Sequence, residues 1–248
     1  MIPKIIHYCW FGGNPLPESA KKCIASWRKF LPEYEIKEWN EDNFDVNIIP
    51  YTQQAYEAKK YAFVSDYARF WILYKYGGLY FDTDVEIIKP LDDIIERGPF
   101  MGIEKRAYVP APKDMKLELL TGVNPGLGLG AEAGLPIYKE LLDSYKQKLF
   151  FDSNGNKIEG TIVSYTTEVL YRYGVQKSTD VQHIAGLNIY PEDVFCPMDS
   201  TTGITTITSN TVSIHHYDCS WLDHDTLHFR LHLLKNKIYR FLNKIHLK

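Results

Sequence analysis

Two carboxylates, Asp82 and Asp84, close an apolar run, Leu79-Tyr80-Phe81, that reads as a buried strand. Spaced i and i+2, they repel each other unless a cation sits between them. A hard divalent ion with oxygen ligands, Mn²⁺ or Mg²⁺, would remove that repulsion and keep positions open for a further anionic ligand. An acidic surface turn is the plain alternative for any D-x-D. The strand before this one, and the Gly77-Gly78 pair ahead of that strand, favour a built site.

Three other groups could join it. In Ser65-Asp66-x-x-Arg69, Asp66 falls on an apolar helical stripe. A buried carboxylate needs a partner, and Arg69 at i+3 is in reach. The pair reads either as a structural ion pair or as a carboxylate and guanidinium aimed at a sugar's hydroxyls. In His215-His216-Tyr217-Asp218-Cys219-Ser220-Trp221, either imidazole could serve as a metal ligand. In His7-Tyr8-Cys9-Trp10-Phe11-Gly12-Gly13, a strand ends in aromatics, and Trp10 could stack on a nucleobase. Gly126-x-Gly128-x-x-Ala131 matches a dinucleotide fingerprint in letters only. No clear strand precedes it and no acidic partner follows, so it reads as a tight loop.

The elements that must position these residues follow from period and punctuation. Lys4–Trp10 reads as a strand and Pro17/Glu18 to Phe30 as a helix opened by proline and glutamate. Glu35–Trp39 reads as a second strand, so the order implies an α/β unit with parallel strands. Tyr61–Tyr76 is the clearest helix, with Phe63, Asp66, Tyr67, Phe70 and Tyr74 on one stripe and Gly77-Gly78 as its stop. Strands are expected at Leu79–Phe81, Val85–Ile88, Phe100–Glu104 and Thr211–His216, and helices at Pro136–Phe150 and Thr166–Gly174. Residues 107–116 read as a proline-rich loop, and 222–248 as a helix.

Composition bounds the rest. The 248 residues are 45% apolar and 24% charged, with a net charge of −3. That excludes a disordered chain, a fibre or a disulfide mini-scaffold, and argues against a nucleic-acid binder. Four cysteines without C-x-x-C spacing suit a reducing cytoplasm. The first residues lack a signal peptide's build, and no run of 18 apolar residues occurs. Charge is uneven: residues 226–248 hold six lysines and arginines and no acid, leaving 22 basic against 31 acidic residues in 1–225. Leu231, Leu234, Ile238, Phe241 and Ile245 form an apolar stripe there. The expected division is a catalytic domain, 1–225, and a basic amphipathic helix, 226–248. That helix either docks on the domain or anchors it to an anionic membrane surface.

Taken together, Ser65-Asp66-x-x-Arg69 and Tyr76-Gly77-Gly78-x-Tyr80-x-Asp82-x-Asp84 resemble glycosyltransferase family 32, the DXD sugar transferases of capsular polysaccharide and yeast mannosyltransferase type. A more distant similarity is to the clostridial glucosylating toxins. The resemblance implies a GT-A type α/β fold, with a mixed, mostly parallel central sheet flanked by helices. It implies a nucleotide-sugar donor, a UDP-sugar being favoured, with Mn²⁺ or Mg²⁺ as cofactor. By the same resemblance, Trp10 stacks on the base beside Tyr8, and Asp66 and Arg69 grip the donor sugar and phosphate region. Asp82 touches the ribose and reaches the metal, and Asp84 binds it directly. His215 or His216 completes the metal shell, His215 being preferred. Ser220 and Trp221 lie near the diphosphate and Asn124 in the sugar pocket. Asp66, Arg69, Asp82 and Asp84 would carry catalysis, with retention at the anomeric carbon.

The expected activity is hexose transfer to a glycan or lipid-linked oligosaccharide acceptor in surface polysaccharide synthesis. The expected location is the cytoplasm, peripherally on the inner face of the membrane. Two alternatives stand beside it. One is a non-catalytic glycan-binding or membrane-surface protein on the same fold. The other is a phosphohydrolase of D-x-D-x-[TV] type, disfavoured because Glu86 holds the Thr/Val position.

Overall fold

The computed structural model describes residues 1–104, 122–158, 160–200 and 202–218. The expected helix over 222–248 and loop over 107–116 lie outside them, as do Ser220 and Trp221.

The chain opens with strand β1 (Ile5–Cys9), helix α1 (Glu18–Phe30) and strand β2 (Glu35–Trp39). β1 and β2 pair in parallel, as the strand–helix–strand order requires. Helices α2 (Pro50–Glu57) and α3 (Tyr61–Tyr76) then lead into β3 (Gly78–Tyr80) and β4 (Val85–Ile87). A short α4 (Asp92–Glu96) precedes β5 (Phe100–Glu104), β6 (Gly122–Asn124) and β7 (Leu129–Ala131). Last come α5 (Pro136–Lys146), α6 (Ile162–Tyr171), β8 (Gln182–Ile184), β9 (Leu187–Tyr190), α7 (Glu192–Phe195) and β10 (Ser213–His215).

The main sheet has eight strands in the order β2-β1-β3-β7-β5-β9-β8, with β6 also on β5. β1, β2, β3, β5 and β9 run one way and β6, β7 and β8 run back. This is the expected mixed sheet with a mostly parallel set of strands. β4 and β10 form a separate antiparallel ribbon.

Side chains alternate across the pleat, so each strand feeds two cores. Ile6, Leu79 and Phe81 pack with Trp27 of α1 on one face. Cys9, Tyr80 and Leu129 pack with α3, α5 and α6 on the other. The indole N–H of Trp27 donates to the Val85 carbonyl at 2.7 Å, pinning α1 to the ribbon.

Helix α3 has its expected bounds but not its expected amphipathic surface. Every residue from Phe63 to Leu73 except Trp71 is buried, because α2, α5 and the sheet enclose it. The stop is as the glycines imply. Gly77 caps the helix with φ 66°, and Gly78 has φ 102°. A Cβ on Gly78 would lie 2.7 Å from the Ile5 carbonyl oxygen, so glycine lets β3 enter beside β1.

Other boundaries shift. α6 begins at Ile162 rather than Thr166, because Thr161 and Ser164 form a reciprocal capping box there. α5 ends at Lys146, short of Phe150. A strand, β6, does precede Gly126, against expectation. The following element is β7 and not a helix, so the fingerprint is still not a dinucleotide site. α2, α4, β7, β8, β9 and α7 were not expected from the sequence.

Candidate active site

The forward-running strands β1, β3 and β5 deliver Trp10, Asp82 and Glu104 to one end of the sheet. Ligands bind at such carboxyl ends in open α/β sheets. A cavity of 1080 Å³ opens there. Asp66, Arg69, Asp82, Asp84, Glu104, Asn124 and His215 line it, with Trp10, Asn14 and Tyr217.

Asp82 follows β3 after Phe81, and the Val85 N–H donates to its carbonyl at 3.0 Å. This turn sends Asp84 toward the ribbon, where β10 faces β4 with His215 opposite Val85. His215 Nε2 lies 3.2 Å from Asp84 Oδ1. One ligand atom from each of Asp82, Asp84 and His215 falls within 4.8 Å of the other two. His216, the next residue, faces away, as strand alternation dictates. Its Nε2 lies 2.9 Å from Glu86 Oε2, so the structure does not bring it to the triad.

Arg69 organises the carboxylates from beneath. Its side chain is 3% exposed. Its Nη2 lies 3.2 Å from Asp66 Oδ1 and 3.2 Å from Asp82 Oδ1. Nη1 donates to Asp82 Oδ2 at 3.3 Å, Nε to the Ser65 carbonyl at 3.1 Å, and the group stacks 5.0 Å over the Tyr80 ring. The Asp66–Arg69 pair is thus an internal ion pair, and both residues line the cavity.

The electrostatics follow from burial and crowding. Burial pushes the Asp66 carboxyl up to about 7, against the pull of Arg69 and with repulsion from Asp82. Burial also raises Asp82, opposed by Arg69 and reinforced by Asp84. Burial would raise Asp84 too, but the His215 charge and hydrogen bond, with the Asp218 N–H at 3.0 Å, hold it near about 2. Burial alone would lower His215; Asp84, Asp82 and Glu104 instead raise it to about 9. Its Nδ1 is buried with no hydrogen-bond partner. Four carboxylates thus face one guanidinium and one imidazole. Carboxylate–carboxylate–imidazole is a donor set that suits Mn²⁺ and tolerates Mg²⁺.

Two expected residues stand differently. Tyr8 is not at the cavity; its ring packs edge-on against Trp27 and its hydroxyl donates to Glu38 Oε2 at 2.6 Å. Strand alternation turns it to the face opposite Cys9. Trp10 does line the cavity, its Nε1 donating to the Asn14 carbonyl at 2.6 Å. Asn124 also lines it, donating to Glu104 and accepting from the Gly126 N–H at 2.7 Å.

Sequence reasoning missed three residues. Glu104 ends an apolar strand just as Asp82 does, and the same argument would have found it. Tyr217 lies edge-on to His215 with ring centroids 4.2 Å apart. Gly126 packs so closely that a Cβ there would lie 2.4 Å from Asp82 Oδ2. The glycine-rich segment therefore serves the carboxylate site.

Residues 17–101 match the family model described as glycosyltransferase sugar-binding region containing DXD motif. That segment includes Asp66, Arg69, Asp82 and Asp84 but not His215. Inositol phosphoceramide mannosyltransferase 3 of Schizosaccharomyces pombe is 35% identical over 98 residues, which cover 38% of this chain and 27% of that protein. An uncharacterized glycosyltransferase of Acanthamoeba polyphaga mimivirus is 26% identical over 218 residues, 81% of this chain and 79% of that protein. The solved structure titled PaToxG Glycosyltransferase aligns with a TM-score of 0.47 at 21% identity over 69% of each chain. The chain spans about a quarter of the yeast mannosyltransferase it matches.

The fold is an α/β architecture with a mixed sheet, and its residues 17–101 resemble the DXD-containing sugar-binding region of glycosyltransferases. Among the described residues, no helix is long and apolar enough to cross a membrane.

Proposed function

We propose that the protein moves a hexose from a nucleotide-sugar, a UDP-sugar first, to a glycan acceptor, retaining the anomeric configuration. The carrying observation is the convergence of Asp82, Asp84 and His215 from two separate parts of the chain on one cavity. Those three residues would hold a divalent cation, Mn²⁺ or Mg²⁺, which when bound offsets charge on the departing diphosphate.

The chain's own groups do the rest. Arg69 fixes Asp66 and Asp82 in one geometry. Asp66 presents its remaining lone pairs to sugar hydroxyls, and Asn124 adds a donor beside Glu104. Trp10 offers an aromatic platform for the base. The acceptor hydroxyl attacks on the face the diphosphate leaves and passes its proton to a departing phosphate oxygen, which calls for no enzyme base. A two-step route would need a carboxylate nucleophile, and Glu104, like Asp66 and Asp218, is a cavity carboxylate outside the triad. A glycosyl adduct trapped on Glu104 in mass spectra would overturn the same-face route.

The surface-polysaccharide context, the division at residue 225 and a basic tail resting on the inner membrane face belong to the same proposal. The relative named a mannosyltransferase keeps mannose among the candidate sugars. The test is a thermal-shift panel of UDP, GDP, CDP and dTDP, each with and without Mn²⁺. A nucleotide at ~100 times its Kd adds about 2.7 kcal/mol. A shift for one nucleotide that requires Mn²⁺ supports the reading and identifies the donor class. No shift in a folded sample refutes it and leaves a glycan-binding protein.

A further inference from the structure

Glu104 and Asn124 stand on neighbouring antiparallel strands, and the register puts them on one face. Asn124 lies opposite Gly102, two residues before Glu104. Side chains two apart on a strand point the same way, so Glu104 and Asn124 are diagonal neighbours across β5 and β6. Both line the cavity.

The amide of Asn124 has its orientation set from two sides. Its Oδ1 accepts from the Gly126 N–H at 2.7 Å, and its Nδ2 donates to Glu104 Oε2. A backbone N–H can only donate and an ionised carboxylate can only accept, so a flipped amide would lose both bonds. Asn124 is 6% exposed, which leaves a misplaced amide little water to turn to. One Nδ2 proton serves Glu104, and the second remains for another acceptor. The arrangement runs on into the carboxylate site. A Cβ on Gly126 would lie 3.0 Å from Asn124 Oδ1, 2.4 Å from Asp82 Oδ2 and 3.4 Å from Arg69 Nη1. The amide is therefore held beside the Arg69–Asp82 pair, at the end of the cavity where the donor is read.

We propose that Glu104 is a positioning residue, whose carboxylate fixes the Asn124 amide so that its second N–H meets a hydroxyl of the transferred hexose. This deepens the transferase reading above and rests on it. Glu104 acts through Asn124 and forms no bond to the sugar, so it is not the nucleophile of a two-step route.

Two variants separate these roles. Glu104→Gln keeps an oxygen that accepts from Asn124 Nδ2 but lacks the carboxylate a nucleophile needs. Glu104→Ala removes the acceptor. Calorimetry on the full chain at saturating Mn²⁺ compares UDP with UDP-glucose, UDP-galactose and UDP-N-acetylglucosamine, and release of UDP from the tightest of the three reads turnover. In Glu104→Gln, both affinities should stay within about threefold of the parent and UDP release should persist. In Glu104→Ala, UDP affinity should be unchanged while the UDP-hexose binds about tenfold more weakly. A merely structural role would weaken both ligands together, and that result overturns the proposal. So does a UDP-hexose affinity unchanged in Glu104→Ala. Glu104→Gln that binds the UDP-hexose normally yet releases no UDP overturns it too, and makes Glu104 the nucleophile. If Glu104→Ala does not fold, a UDP-hexose affinity lost in Glu104→Gln with UDP affinity kept overturns it, and both kept with UDP release supports it. A parent that binds UDP but discriminates no UDP-hexose from it overturns the sugar contact alone. A folded parent that binds none of the four sinks the donor reading, and the proposal with it.

Discussion

His215 Nε2 sits 3.2 Å from Asp84 Oδ1, joined across the β4–β10 ribbon. Each residue sets the charge of the other, and this couples metal binding to protons. His215 stays protonated up to about 9, so a cation taking Nε2 must displace that proton. Mn²⁺ affinity should rise as pH climbs from 6 toward 9, and His215→Ala should flatten the dependence. Calorimetric titration at several pH values reads this directly. In the metal-free protein the sign reverses. The folded pKa lies above the unfolded 6.5, so the pair stabilises fully below 6.5 and loses that stabilisation as pH rises through about 9. The Tm without metal should fall over that window.

Removing Arg69 should do more than weaken donor binding. Arg69→Ala leaves Asp66 and Asp82 buried without their cation, a change that typically costs about 3–5 kcal/mol. Arg69→Lys should recover little, since one ammonium cannot reproduce contacts made through three nitrogens. Urea midpoints of the three proteins check this. A midpoint unchanged in Arg69→Ala would show the ion pair to be structurally idle.

Gly126→Ala separates site geometry from fold. The new Cβ would press on Asp82 Oδ2, which accepts from Arg69 Nη1, while the Tyr80 hydroxyl holds Oδ1 of the same carboxylate. Overpacking of this kind costs roughly 1–3 kcal/mol. The Mn²⁺-dependent nucleotide shift should weaken by more than the stability loss predicts. An unaffected nucleotide shift would mean that Asp82 is free to move aside.

His7 should govern part of the acid sensitivity. It is buried between the Gly77 carbonyl, 3.0 Å from Nε2, and the Trp39 indole N–H, which donates to Nδ1 at 3.0 Å. Burial holds its pKa down at about 4. The unfolded chain therefore binds a proton that the folded one refuses between 6.5 and 4. Stability should fall across that window as pH drops, by up to about 3 kcal/mol. His7→Phe should be less stable at pH 7 but shallower in its pH slope. Denaturant unfolding at stepped pH measures both.

Much of the site was legible in local pattern. Asp82 and Asp84 stand out because two carboxylates directly after an apolar strand are costly without a cation. Asp66 stands out because a charge on a buried helix stripe must be answered, and Arg69 lies one turn away. The α3 stop was legible in Gly77-Gly78, since only glycine enters that backbone geometry cheaply. By contrast, Tyr8 and Trp10 look alike in sequence as aromatics of one strand end. Only the pleat and the position of α1 send Tyr8 to Trp27 and leave Trp10 at the cavity.

The chain order of apolar runs, glycines and isolated charges thus determines the α/β class and the carboxylate pair, because those depend on neighbours within a turn or a strand. Which histidine meets Asp84 depends on the register between β10 and β4, and shifting it by one residue would exchange His215 for His216. The positions of Glu104 and Gly126 beside Asn124 and Asp82 likewise arise from packing between segments far apart in the chain. No local period records those distances, so they emerge only when the sheet, α3 and the ribbon close around one cavity.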